Sequence, residues 1–383
     1  MQFIDLQAQR RRISAQIDTA MKTVLDHGRF VMGPEVAEFE RQLADFSGAK
    51  HALGCANGTE AIALPLMGWG LRTGDAVFCP SFTFCATAEV IPWLGATPVF
   101  IDIQPDTYNI DTDHLERAIE ATLAKGKLKP KAIIGVCLFG QAADYPRLRE
   151  IADKYGLKLI ADSAQGFGTT IHGQHPSDWA DCTTTSFFPA KPLGCYGDGG
   201  AVLTNDAQLA ELIDSLRVHG KAVAMDKEGA DFGHDPKYLN MRIGMNSRLD
   251  TLQAAILIEK LAVFADEIEK RNVIAARYNE ALEPFVTSVP TVAGGVVSTW
   301  AQYTIEHRNR DGLQAHLREA GIPSAVYYPV PMHMNVAYTR FPQGAGGLPV
   351  TEAKASSVIS LPMHPYLEPA EQDKVIDAVK SFS

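Results

Sequence analysis

Cysteine is scarce, with six residues in 383. The six positions (Cys55, Cys79, Cys85, Cys137, Cys182 and Cys195) show neither a CxxC pair nor a Cys/His ligand spacing. That pattern argues against a disulfide framework and against a structural zinc site, and no metal is expected. Cys195 reads as a small buried filler rather than a reactive thiol. Basic residues are outnumbered, 35 Lys and Arg against 45 Asp and Glu, for a formal charge of −10. No basic cluster makes a track for a phosphate backbone, so nucleic-acid binding is not expected. The run Arg10-Arg11-Arg12 sits at an amphipathic helical start and reads as a solvated face. Long apolar stretches are also missing: the longest, Ala61 to Leu71, is broken by Pro65 and two glycines and is too short to span a bilayer. The first residues, MQFIDLQAQRRR, carry no apolar stretch after their basic ones, so no secretory signal is read and a cytoplasmic location is the expectation.

What is present is the composition of a globular protein, 46% hydrophobic and 21% charged, in a chain long enough for two closely packed domains. Short apolar or β-branched runs (Ala76 to Cys79, Thr97 to Ile101, Lys131 to Cys137, Lys158 to Ala161, Cys182 to Phe187, Ala201 to Thr204) alternate with helical patterns such as His114 to Ala124, Tyr145 to Tyr155 and Ala207 to Val218. Near-continuous apolar strands suit a sheet covered on both faces, and the alternation reads as βαβ repetition. The predicted fold class is α/β, a large domain with a mostly parallel sheet over residues 1–250 followed by a smaller α+β domain over 251–383. In the second part a hairpin-like strand (Trp300 to Glu306) and a terminal helix (Pro369 to Phe382) are read.

Four pieces of chemistry follow one another along the sheet: Asn57-Gly58-Thr59 before a helix, the aromatic loop Phe82-Thr83-Phe84, Asp162 closing a strand, and Ser186 followed by Lys191. Each alone has an ordinary structural reading. Together they meet the needs of pyridoxal phosphate (PLP): a lysine for a Schiff base, an acid to keep the pyridine nitrogen protonated, an aromatic face, and donors for a phosphate. Gly58 and Thr59 open a helix, where free amides and the dipole favour a dianion. Asp162 lies at a strand's carboxyl end, where open α/β sheets bind ligands. The GCYGDGG loop (194–200) is not a dinucleotide fingerprint, since its spacing is wrong and a strand-like AVLT follows.

Eight ordered segments carry a further resemblance: GPEVAEFE (33–40), NGTEAI (57–62), PSFTFCATAE (80–89), ADSAQGFG (161–168), SFFPAKPLGCYGDGGA (186–201), GMNSRLDTLQAAI (244–256), YYPVPMH (327–333) and LPMHPYL (361–367). Over nearly its whole length the chain resembles the DegT/DnrJ/EryC1/StrS family of fold-type I aminotransferases, which act on nucleotide sugars. The resemblance implies roles position by position. Lys191 is the imine and proton-shuttling lysine, and Asp162 the partner of the pyridine nitrogen. Gln165 matches the side chain on the cofactor's phenolic oxygen, and Phe84 the aromatic stacked on the ring. Thr59, the Glu60 backbone and Ser186, with Gly58, form the phosphate cup. Asn246 reaches the phosphate of a neighbouring subunit, which implies a homodimer with shared active sites. Arg248 matches a candidate for an anionic group of donor or sugar, or equally a structural arginine at the interface. Tyr328 and His333 resemble a loop that edges the sugar site.

The implied reaction is transfer of an amino group from L-glutamate to a keto-sugar nucleotide, a step in surface polysaccharide or glycoconjugate biosynthesis. The segment around Lys191 most resembles the branch that aminates C3 of UDP-linked 3-keto sugars, including an N-acetylated uronic acid. Amination at C4, a sugar dehydratase on the same fold, and a non-catalytic regulator are the alternatives. The lysine, replaced by His in the related 3-dehydratases, favours amino transfer. The polar segment 222–237 is read as a surface loop or a cover for the partner's sugar site.

Overall fold

The computed structural model describes residues 1–227 and 239–382; most of the polar segment 222–237 lies outside them. Eleven strands form among the described residues: β1 (His51–Cys55), β2 (Asp75–Pro80), β3 (Thr97–Ile101), β4 (Lys129–Val136), β5 (Lys158–Asp162), β6 (Thr170–Ile171), β7 (Cys182–Ser186), β8 (Gly200–Thr204), β9 (Val296–Val297), β10 (Tyr303–Glu306) and β11 (Val358–Leu361). Seven make one sheet in the order β1-β8-β7-β5-β4-β2-β3. β8 runs antiparallel to both its neighbours, and the other pairings are parallel. This is the expected mostly parallel α/β sheet.

The strands read as unbroken apolar runs because alternate residues feed two different cores. Val77, Cys79, Ala132, Ile134 and Ile160 face one side, with the helix Gly58–Gly68. Ala76, Phe78, Ile133, Leu159 and Ala161 face the other, with the helices Thr112–Lys125 and Tyr145–Tyr155. β1 was not expected: HALGC begins with His and contains Gly54, neither a strand signal. Here the space is tight, since a Cβ on Gly54 would lie 3.0 Å from the Leu249 Cβ and Leu249 would have to give way. β10, expected as part of a hairpin, pairs instead with the distant β11, because the intervening chain is occupied by the helix Arg310–Glu319 and a return to the large sheet.

The helix Thr251–Leu282 joins the two parts. Its first half, through Leu257 and Phe264, packs on Phe39 and Leu43. Its second half, through Ile274, Tyr278 and Leu282, packs on Tyr303, Ile305 and Leu361. A second tie is Asp102, just past β3, whose carboxylate accepts from the amides of Val350 (3.1 Å) and Thr351 (2.8 Å) at the start of the helix Pro349–Ser357. Elements on both sides of residue 250 are therefore held together. No helix among the described residues is long and apolar enough to cross a membrane.

His175 offers a handle on acid stability. It is 8% exposed, wedged between the rings of Phe46 and Phe167, and neither ring nitrogen has a partner among the described residues. Burial pushes its pKa down from 6.5 to about 4. The unfolded chain therefore takes up the proton first: the neutral imidazole's contribution is intact above 6.5 and is lost as pH falls toward 4. His175→Phe is expected to flatten the stability profile across that window, retaining about 2 kcal/mol more than the parent at roughly pH 4.5, as measured by urea unfolding.

Candidate active site

The predicted residues converge on the carboxyl edge of the sheet. Asp162 ends β5, Ser186 ends β7, and β1 leads through Asn57 into the helix Gly58–Gly68. The Asn57 side chain caps this helix by accepting from the Glu60 amide at 2.9 Å. The Glu60 amide, expected in the phosphate cup, is thus used by the cap in this structure. The amides of Gly58 and Thr59 have no protein partner among the described residues. They are the donors the helix end presents. Gly58 is required by close approach: a Cβ there would lie 2.5 Å from the Ser186 Cβ and 3.0 Å from its Oγ. Gly58→Ala is expected to push the helix end away from Ser186 and weaken phosphate and cofactor binding by about tenfold, the order of one charge-assisted hydrogen bond, read by cofactor titration.

Asp162 is buried, 4% exposed. Its Oδ1 accepts from the Ala164 amide at 3.1 Å and its Oδ2 from the Thr87 hydroxyl at 2.9 Å. Burial pushes the carboxyl up, while these two donors and the charge of Lys191 pull it back. Lys191 is half-buried on the loop after β7. Burial lowers its ammonium below the ordinary lysine range, and the Asp162 charge acts in the opposite sense. A buried acid and a half-buried lysine thus lie within each other's field.

The Lys191 loop is anchored at several points. The amide of Lys191 donates to the Phe188 carbonyl and that of Cys195 to the Phe187 carbonyl, both at 2.8 Å. Beneath, the Nζ of Lys260 donates to the Gly194 carbonyl and lies 4.2 Å from the centre of the Tyr196 ring. Desolvation lowers the Lys260 ammonium to about 8. The Cys195 thiol has the carbonyls of Phe187 and Gly197 in range of its one hydrogen, and burial pushes it up to about 11, so it is filler, as expected. The glycines after it lead into β8, as the rejection of a dinucleotide loop requires.

Phe84 is 51% exposed, unusual for a large apolar ring beside so buried a cluster. Its ring lies 6.5 Å from that of Tyr328. Gln165 is fixed at both ends: its Oε1 accepts from the Phe139 amide at 2.9 Å and its Nε2 donates to the Tyr328 hydroxyl at 2.8 Å. Tyr328 packs on Phe82 and Tyr327. His333 is buried with both ring nitrogens engaged. Its amide donates to the Ser81 Oγ, whose hydroxyl then donates to Nδ1 (2.7 Å), leaving Nε2 to donate to Glu352 at 3.3 Å. These bonds tie its loop to the end of β2.

Asn246 is exposed and forms a backbone bridge with Val218. Arg248 is half-buried, and its guanidinium has no hydrogen bond or ion pair among the described residues. Neither is bonded to Lys191, Asp162 or Ser186 within this chain. Sequence reading missed Thr87, whose only signal was its place four residues after Thr83 in PSFTFCATAE.

A model of the DegT/DnrJ/EryC1/StrS aminotransferase family matches residues 11–380. The chain belongs to that family. It is 45% identical over 370 residues, 97% of each chain, to the UDP-2-acetamido-2-deoxy-3-oxo-D-glucuronate aminotransferase of Pseudomonas aeruginosa. A family member from Brucella abortus superposes with a TM-score of 0.95 at 51% identity, covering 100% of this chain and 99% of that one. NtdA from Bacillus subtilis, solved with bound cofactor PMP, superposes with a TM-score of 0.84 at 29% identity, covering 99% of this chain and 83% of that one. The fold class and family read from the motifs are thereby borne out, and the chain is an aminotransferase.

Proposed function

We propose that this PLP-dependent aminotransferase moves the amino group of L-glutamate to the keto carbon of a UDP-linked 3-keto sugar, as a homodimer with shared active sites in the cytoplasm. The observation that carries the reading is the pairing of Lys191 with the buried, doubly hydrogen-bonded Asp162 at the carboxyl edge of the sheet. The donor set fits the cofactor: free helix amides and a serine hydroxyl for the phosphate, an acid for the ring nitrogen, an amide for the phenolic oxygen, and an exposed ring for stacking. The Pseudomonas aeruginosa relative, which by its name acts on a 3-oxo UDP-sugar, supports that substrate class.

Pyridoxal phosphate, when bound, supplies the carbonyl that exchanges nitrogen and a ring that draws electrons from the carbon losing its proton. The protein's work is positional and acid–base. Lys191 Nζ, biased toward its neutral form by burial, would be the anchor for the cofactor and the base that takes the proton from Cα of glutamate. In the second half it moves the proton back to the sugar carbon. Asp162 would hold positive charge on the ring nitrogen, and Gln165, pinned by Phe139 and Tyr328, would offer its amide to the phenolic oxygen. Arg248, with its fork suited to a carboxylate, is assigned to an anionic group of donor or sugar, and Asn246 to the partner's phosphate. Tyr328 edges the sugar. His333 supports that edge through Ser81.

The test is single-turnover amination of a panel of keto-sugar nucleotides by the pyridoxamine form, with product position read by NMR. A C3 amine on a UDP-linked sugar is expected. A C4 amine overturns the regiochemistry, and inertness toward the whole panel overturns the substrate class.

A further inference from the structure

We propose that Thr87, backed by Thr83, is a positioning residue that fixes the Asp162 carboxylate in place and in its charged form. The inference rests on the cofactor reading above and deepens it. The Thr87 Oγ1 lies 2.9 Å from Asp162 Oδ2, and the Thr83 Oγ1 lies 3.0 Å from Thr87 Oγ1. A carboxylate oxygen accepts, so the Thr87 hydroxyl donates to Asp162 and its oxygen is left to accept from Thr83. The three side chains are 3%, 1% and 4% exposed. Two hydroxyls thus form a one-way relay ending on a buried anion, each bond strengthening the next in a setting of low polarity.

The relay matters because burial acts against Asp162 in its charged form. The titratable groups that share its field are Lys191, Cys137, Tyr145 and Tyr328. Of these only Lys191 can offset the burial by charge, and Lys191 is the group whose charge the reaction changes. The Ala164 amide and the Thr87 hydroxyl are the donors that stay constant through the cycle. The same turn carries the stacking ring: the Thr87 amide donates to the Phe84 carbonyl at 3.2 Å. One short segment therefore sets both the ring that faces the cofactor and the hydroxyl behind its acid.

The test is Thr87→Val in the holoenzyme, which removes the hydroxyl and keeps the volume. With the relay gone Asp162 retains a proton more readily, the ring nitrogen loses positive charge, and the nitrogen joining Lys191 to the cofactor becomes more basic. The pH midpoint of the visible band is expected to rise by roughly one unit, toward that of Asp162→Asn. Turnover should fall about tenfold with little change in KM for glutamate, and Thr87→Ser should recover most of the midpoint. Thr83→Val, which spares the direct bond, should shift it in the same sense by less. A folded, cofactor-loaded Thr87→Val with the parent's midpoint overturns the proposal. If that variant does not load, an unshifted Thr83→Val does so. Absence of the band in the parent would instead strike the cofactor reading.

Discussion

Lys191→Ala is expected to abolish the visible absorption of the lysine-bound cofactor and to reduce turnover by roughly 10³-fold or more. Two contributions are lost together. One is the covalent anchor, from which the incoming amine is exchanged rather than condensed afresh. The other is the proton carrier, a group of the kind that contributes about 10²–10⁴-fold. The alanine variant should still bind the cofactor, because the phosphate donors at Gly58, Thr59 and Ser186 and the Asp162 carboxylate are untouched. It should also fold, because the loop is held by backbone bonds at Phe187 and Phe188 and by Lys260 on Gly194. A visible band that persists after gel filtration of Lys191→Ala, at the parent's position, would remove Lys191 from the anchor's role.

The second large effect is that of Asp162→Ala. Its charge acts on Lys191, and it faces the ring nitrogen in the assigned geometry. Its removal should leave the anchor to Lys191 intact, so the visible band persists, while turnover falls by about 10²–10³-fold, the scale seen when one preorganised charge-stabilising group is deleted. The two variants thus separate binding from electron withdrawal: one loses the band and the rate, the other the rate alone. Normal turnover in Asp162→Ala would defeat the electron-sink assignment.

The residues of this site were legible in the sequence because they sit where strands end, and strand ends are marked by a change from apolar runs to Gly, Asn, Asp and Ser. Asp162 after KLIA and Ser186 after CTTT follow that rule, while Gly58 was legible as the opening of a helix. The parallel sheet was legible for a related reason: strands buried on both faces lose the alternation that marks an exposed one. What stayed hidden depends on contacts between distant segments. β1 carries Gly54 because Leu249 packs against it, and nothing near residue 54 announces Leu249. β11 finds β10 across some fifty intervening residues, a register set by shared packing rather than by a turn. Thr87 carries no signal of its own in the sequence, and only the fold sets its hydroxyl against Asp162. His333 reads as a lone histidine in the chain, and only the fold reveals that Ser81 and Glu352 occupy its nitrogens.

The long helix Thr251–Leu282 has a consequence for how the chain comes into being. At about 1.5 Å per residue it is roughly 48 Å long, and its first half completes the burial of Phe39 and Leu43, which a ribosome would have delivered about 200 residues earlier. Until that helix emerges, the apolar stripe before β1 can meet Phe167, Phe187 and Leu203 but lacks the cover of Leu257, Leu261 and Phe264. Synthesis must therefore carry an unfinished N-terminal surface for some tens of seconds at about 5–20 residues per second, and nascent chains halted before residue 251 should be markedly richer in chaperone contacts than chains halted after residue 282 with the helix clear of the exit tunnel.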